Sequence, residues 1–410
     1  MRRTLLIMAC IMALSTSAMA QYIRINGKDA KNGLYFNYDR LWSYNQYEAS
    51  RWGGGLRYDI NFAKESRLQC LSMDGYVGYG YTDKGWKWGV MADLQLRHSR
   101  RPHVYAGYFH DLLHDASLRM TSPSVNNLSF LDGLMAGRFS AVDRFYVGGG
   151  WKVGNRLTLG AEVRYSSEQR LYDNQYIYYH PDDIAFLPKH KLLECRLMAE
   201  HSKGLRAELL VGSGHSLCQG IQTDFGPYAR LLLQYRRSHR IALFTLGTYA
   251  QGGITTRDVP YSRMFDLGGH WGSPLLLSQS LVSVRSGEFA ANLFAAASVK
   301  FGFTEPLFKY HINLLNVGLR PRPFVQAGAM WGHLWGQDEN GIVYDYDELS
   351  MLSPSKGIAE VGAGIDGLVR WGVVDWGVAL FYRMTPQSAI YHFPGRDGNI
   401  SLLFTATLTI

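Results

Sequence analysis

The chain has 410 residues, a formal net charge of +8 and a nearly neutral mean hydropathy. Beyond residue 20 it contains no run of eighteen apolar residues, which argues against a helical membrane protein. The neutral average does not exclude a β-barrel, because a barrel strand alternates lipid-facing apolar residues with polar ones.

Residues 1–20 read as a cleavable secretory signal. Arg2 and Arg3 form the basic start, Leu5 to Leu14 the apolar stretch, and Ala18-Met19-Ala20 the small-residue cleavage site. Residues 21–33 form a short periplasmic lead-in, and 34–410 a single transmembrane antiparallel β-barrel, an all-β fold of about sixteen strands.

Period-2 alternation carries that reading, since successive strand side chains point to opposite faces. In Trp86–Leu96 the apolar set is Trp86, Trp88, Val90, Ala92, Leu94 and Leu96. In Leu157–Tyr165 it is Leu157, Leu159, Ala161, Val163 and Tyr165, set against Thr158, Gly160, Glu162 and Arg164. The last segment alternates in the same way from Ile400 to Ile410. The predicted strands are 34–45, 47–62, 67–82, 86–98, 102–113, 141–153, 156–168, 191–202, 204–213, 225–238, 240–252, 287–302, 321–335, 357–369, 373–384 and 399–410.

The links have a parity. Most links after even-numbered strands are tight: Ala63–Ser66, Ser99–Arg101, Gly154–Asn155, Lys203, His239 and Arg370–Gly372. Most odd-numbered links are long: 114–140, 169–190, 214–224, 253–286, 336–356 and 385–398. Short turns at one end and long loops at the other is the polarity of an outer-membrane barrel, with the turns in the periplasm. Two links break the parity: the short outer hairpin Asp83–Gly85 and the long inner connection 303–320, which suggests a bent or broken strand pair. The abundant aromatic residues suit a membrane–water boundary. Cys70, Cys195 and Cys218 form neither a disulfide framework nor a zinc-type pair, and read as packing residues.

Two stretches carry a resemblance. Asn37–Asp59 reads NYDRLWSYNQYEASRWGGGLRYD, and Gly75–Val90 reads GYVGYGYTDKGWKWGV. They resemble the start of the barrel in a family of Bacteroidetes outer-membrane proteins that carry a carboxypeptidase-regulatory-like N-terminal domain. More distantly, the layout is similar to the sixteen-stranded surface-antigen superfamily, which includes barrel-assembly and two-partner secretion transporters. The resemblance implies that loop 253–286 folds into the lumen. Its expected lumen residues are Asp266, Gly268, Gly269, His270 and Trp271, although the superfamily's Arg-Gly-aromatic tip is absent here.

The charged residues predicted to line the lumen are Arg97, Glu162, Arg164, Glu194, Arg196, Glu200, Arg206, Glu208, Arg230, Arg236, Glu360, Asp366, Asp375 and Arg383. Mixed signs on neighbouring strands point to an electrostatic lattice rather than an ion-selective filter. His110 and His114 share a face at a spacing a metal could use, but a polar rim explains them equally. Ser213-Gly214-His215-Ser216 places a hydroxyl beside an imidazole, but sequence neighbours rarely form a nucleophile–base pair. Arg236-Arg237-Ser238-His239-Arg240 reads as a charged cap at an inner turn.

The expected function is a non-enzymatic channel or transport-type component with no cofactor. A surface-exposed barrel that binds a partner or assists assembly is the alternative, and an outer-membrane lipid hydrolase stands third. Expected partners are outer-membrane lipid and lipopolysaccharide, the barrel-assembly machinery during biogenesis, and a protein or glycan at the outer loops. Nucleic acid is not expected in that compartment.

Overall fold

The computed structural model describes residues 22–27, 31–37, 40–45, 48–114, 139–170, 189–218, 221–267, 281, 283–284, 289–312, 317–339, 342–344, 350–371, 374–384 and 399–408. The signal segment 1–20 and most of loops 114–140, 169–190 and 385–398 lie outside them.

In chain order the strands begin with β1 (Tyr22–Arg24), β2 (Gly33–Asn37), β3 (Trp42–Asn45), β4 (Ala49–Asn61), β5 (Leu68–Gly80), β6 (Trp86–Leu96), β7 (His103–His114) and β8 (Phe139–Val153). They continue with β9 (Leu157–Arg170), β10 (Lys189–His201), β11 (Leu205–Cys218), β12 (Ile221–Ile241), β13 (Phe244–Thr255), β14 (Phe265–Asp266), β15 (Ala290–Ala291) and β16 (Leu293–Phe303). The last are β17 (Tyr310–Ile312), β18 (Val317–Leu319), β19 (Arg322–His333), β20 (Ile342–Tyr344), β21 (Ser350–Leu352), β22 (Ile358–Trp371), β23 (Val374–Arg383) and β24 (Ile400–Leu408).

Among the described residues, twenty strands form one sheet, and β14–β15 and β20–β21 form separate two-stranded ribbons. Every pairing whose register is defined is antiparallel. Among the described residues no helix is long and apolar enough to cross a membrane, which leaves crossing by strands open.

Each of the sixteen predicted segments contains a strand of this sheet. The four additional strands are β1, the second half of the split first segment, and the pair β17 and β18.

The split has a local cause. β2 pairs with Gly55–Asp59 of β4, and β3 with Ala49–Trp52. Between them the chain crosses the Gly53-Gly54-Gly55 run. A Cβ on Gly53 would stand 2.3 Å from the Val77 carbonyl and 3.1 Å from the Arg40 carbonyl. Arg40 then lies over the Tyr76 ring, 3.9 Å from its centroid.

Of two further segments, the first differs from expectation and the second holds the short strand pair expected there. β12 continues through Arg236–Arg240, so those residues are strand rather than turn. The tight link lies at Ala242–Leu243, with Ala242 at φ 52°. In 303–320, β17 and β18 form a hairpin, and Val317 of β18 pairs with Trp371 of β22.

The chain divides into two compact units. Among the described residues, the first holds 22–233 and 254–264, and the second holds 234–253 and 265–408. In the first, β4 to β11 form an up-and-down meander. In the second, β16, β19, β22, β23 and β24 pair in that spatial order.

The polarity of these strands is inverted relative to a water-soluble fold. On β9, Val163 and Tyr165 are 52% and 48% exposed, whereas Glu162, Arg164 and Glu168 are 7%, 9% and 3% exposed. On β10, Leu193 and Leu197 are exposed and Glu194 and Arg196 buried. The second unit repeats this on β22 and β23, with Val361 and Leu380 exposed and Glu360 and Asp375 buried. A soluble protein almost never fully buries such charges while leaving every second large apolar side chain bare.

Aromatic rings on the charged face lie against glycines. Tyr105 is paired across the ladder with Gly148, Tyr146 with Gly107, and Tyr76 with Gly89. A Cβ on Gly107 would stand 2.4 Å from the Tyr146 hydroxyl, and one on Gly148 2.5 Å from the Tyr105 ring. The ring therefore occupies the space of the missing side chain on the adjacent strand.

Candidate functional site: a strap pinned to the charged face

The site lies in the first unit, where even-numbered positions of β8 to β12 project to the charged face. Arg144 of β8 meets Glu168 of β9 at 2.8 Å, and Arg164 of β9 meets Glu194 of β10 at 2.7 Å. Arg196 is hydrogen-bonded to Glu208, which also accepts from Arg230 at 3.3 Å. The Tyr228 hydroxyl donates to Glu194 at 2.8 Å, and the Ser166 hydroxyl to Glu168 at 2.8 Å. Buried charges persist only when paired and hydrogen-bonded, and this wall meets that condition.

The segment 256–264 packs onto this wall. Its start is tied to β12 in both directions: the Thr256 N–H donates to the Ala229 carbonyl at 2.9 Å, and the Ala229 N–H to the Thr256 hydroxyl at 3.1 Å. Val259 is buried against Leu210 and Tyr228, with Met264 packed beside them. A single 3-10 turn, Tyr261–Arg263, follows and is closed by the Arg263 N–H on the Pro260 carbonyl at 2.8 Å.

That turn delivers Arg263 between two carboxylates. Its Nε and Nη2 donate to Glu194 at 2.6 and 2.9 Å, and its Nη1 and Nη2 to Glu168 at 2.9 and 2.6 Å. Both contacts are two-pronged, the geometry that the planar guanidinium fork favours. Burial works against the Arg263 charge, but the Glu168 and Glu194 carboxylates outweigh it and hold the guanidinium above its ordinary pKa. With Arg263 in place, three arginines (Arg144, Arg164, Arg263) face three glutamates (Glu162, Glu168, Glu194).

The same loop is held again within the second unit. The Ser283 N–H donates to Glu360 Oε2 at 2.8 Å, and the Arg383 guanidinium donates to the Ser283 carbonyl. Leu281 and Val284 are buried beside them. The loop is therefore anchored to the charged face of each unit separately.

The positions named from sequence distribute as follows. Glu162, Arg164, Glu194, Arg196, Glu208, Arg230, Glu360 and Asp375 are buried on the charged face. Asp366 pairs with Lys300 at 2.7 Å, and Asp375 with Arg322 at 3.4 Å. Glu200 and Arg206 form an exposed pair at 2.8 Å beside the β10–β11 turn. Arg97 is exposed after β6, and Arg236 is exposed within β12. Asp266 lies in the two-residue strand β14, whereas Gly268, Gly269, His270 and Trp271 fall outside the described residues.

His110 turns to the apolar side, where its Nδ1 lies 2.7 Å from Asp143. Among the described residues no three His, Cys, Asp or Glu side chains converge as a metal site. Ser213 and His215 stand on one face of β11, paired with Leu193 and Lys191 of β10.

Sequence reasoning missed Arg263, Arg144, Glu168 and Tyr228. Glu168 and Arg144 continue the even-position series of their own strands, so a longer alternation would have found them. Arg263 carries no such signal, because nothing in a loop sequence says which residue reaches the wall.

No protein-family model matches the chain, and no curated protein matches it by sequence. Among solved structures, CdiB from Escherichia coli is similar at 10% identity and a TM-score of 0.46, over 97% of this chain and 69% of that one. CdiB from Acinetobacter baumannii is similar at 9% identity and a TM-score of 0.44, over 92% of this chain and 59% of that one. This chain thus spans about three-fifths of the Acinetobacter protein. A bacterial polysaccharide outer membrane secretin is similar at 11% identity and a TM-score of 0.29, over 87% and 89% of the two chains. TM-scores below 0.5 leave the functional reading to the chain's own geometry.

Proposed function

We propose that the chain is a non-enzymatic transport-type β-barrel of a bacterial outer membrane, with its lumen occupied by loop 253–286. The observation that carries this is the inverted polarity of the strands. An exposed face of Val, Leu, Tyr and Trp suits hydrocarbon, and a buried face of paired charges suits a hydrated interior. In lipid every strand edge must be satisfied, so the sheet closes on itself. The tight links then lie in the periplasm and the long ones outside.

A barrel of sixteen or more strands encloses a channel wide enough for water unless something fills it. The strap at 256–264 and the Ser283 anchor supply that filling, both on the charged face. The barrel is held shut at rest and conducts when the strap leaves.

Planar-bilayer recording tests this. The full-length protein gives small, irregular conductance, and deletion of 254–286 raises it. A deletion variant that inserts normally and conducts no more than the parent would remove the plug from the reading.

A further inference from the structure

The tight-turn end of the first unit is densely basic, and the transport reading gives that no use. The β4–β5 turn exposes Lys64 and Arg67, and the β6–β7 turn exposes Arg97, Arg100 and Arg101. The β8–β9 turn adds Lys152 and Arg156, and the β10–β11 turn adds Lys203 and Arg206. Exposed acidic residues at these four turns are Glu65 and Glu200, and only Glu200 is engaged, by Arg206. Among the described residues the other eight basic side chains form no salt bridge.

Consecutive turns adjoin. The Lys152 N–H donates to the Arg100 carbonyl at 2.8 Å, and the Ser202 N–H to the Arg156 carbonyl at 2.7 Å. Neighbouring hairpins are two strand spacings apart, about 10 Å, so the four turns form a basic arc about 30 Å long. Neighbouring turns lie close to the Debye length, so their fields add and repel. An extended chain of roughly nine residues spans that length.

The direction of the charges distinguishes the partner. Lys152 has the strand parity of Arg144 and Tyr146, and Arg206 that of Glu208. Arg97 has the parity of Lys87, which is buried. These three residues continue the charged face rather than the apolar one, which sets them on the interior side of the rim.

We infer that this rim is a docking surface for an acidic polypeptide segment of about ten residues, presented from the periplasmic side. The placement in the periplasm rests on the barrel reading, whereas the charge array does not. Several like charges held along one arc favour an extended polyanion over a small anion, because each turn contributes separately and the repulsion between turns is relieved at once.

The test uses full-length protein in detergent and a fluorescein-labelled ten-glutamate peptide, read by anisotropy. Binding should weaken with added salt. It should fall about tenfold or more in each of Arg100→Glu/Arg101→Glu and Lys152→Glu/Lys203→Glu, and stay unchanged in Lys84→Glu at the outer β5–β6 hairpin. Heat-modifiable gel mobility confirms that each variant is folded. Equal peptide affinity in parent and folded rim variants overturns the proposal. Equal affinity together with loss of co-purified phosphatidylglycerol assigns the rim to lipid instead.

A separate arm tests the placement. Lys203→Cys, with Cys70, Cys195 and Cys218 replaced by Ser, should react with an impermeant maleimide only after the outer membrane is permeabilised. Labelling in intact cells contradicts the placement, and with it a periplasmic partner, even if peptide binding persists.

Discussion

Removing the Arg263 side chain is the sharpest perturbation of the strap. Arg263→Ala deletes four charge-assisted hydrogen bonds to two carboxylates that are at most 4% exposed. Breaking a buried ion pair by deleting one partner costs about 3–5 kcal/mol, because the other charge stays buried. Here Glu168 keeps Arg144 and Ser166, and Glu194 keeps Arg164 and Tyr228, so the low end, about 3 kcal/mol, applies. At tenfold per 1.4 kcal/mol, that shifts the docked-to-free ratio of the strap roughly a hundredfold. Lysine at this position keeps one charge but loses both forks, so Arg263→Lys should fall between.

The assay pairs limited proteolysis within 254–264 with single-channel recording. The alanine variant should be cut faster and should open more often than the parent, with an unchanged strand content by circular dichroism. Protection and conductance identical to the parent would show that the two forks do not hold the strap, and the reasoning would fail.

Two other substitutions probe the wall itself. Val163→Arg, on the exposed apolar side of β9, should cost about 2–4 kcal/mol if that side meets hydrocarbon, and should reduce the membrane-inserted fraction recovered from cells. Gly107→Ala places a methyl where the Tyr146 ring lies and should cost about 1–3 kcal/mol, read as a lower midpoint of thermal unfolding in detergent. In a Tyr146→Ala background the same Gly107→Ala change should cost less than in the parent, since the ring is the obstacle.

Most of the strand layout was legible because alternation is a property of every strand and needs no partner to be read. Trp86–Leu96 and Leu157–Tyr165 declared their faces in sequence, and the exposures of Trp88, Val90, Val163 and Tyr165 follow those faces. The first segment was not legible, because its continuity depends on where Arg40 crosses three glycines of another strand. The turn after β12 was misplaced for a related reason. A basic run looks like a turn, but Arg236–Arg240 continues the strand until Ala242 takes a positive φ.

The charged face was legible as a series, whereas its partners were not. Parity places Glu194 and Arg196 on one side, but it says nothing of which arginine reaches which glutamate. Loop 253–286 was expected inside from resemblance, through Asp266 to Trp271. Gly268 to Trp271 fall outside the described residues, and the anchors the structure describes are Arg263 and Ser283, on either side of that stretch. A long arginine side chain can reach the wall from many loop positions, so only the fold selects one.

The inverted wall is the claim beneath all of these, and accessibility measured residue by residue tests it directly. Nitroxide labels placed singly at 161 to 166 in the bilayer-reconstituted protein can be exposed to lipid-soluble oxygen and to a water-soluble nickel chelate. Oxygen collisions should peak at 161, 163 and 165 and drop at 162, 164 and 166, following the alternation of β9. A flat profile, or high chelate access at 163 and 165, would contradict an apolar face turned to lipid.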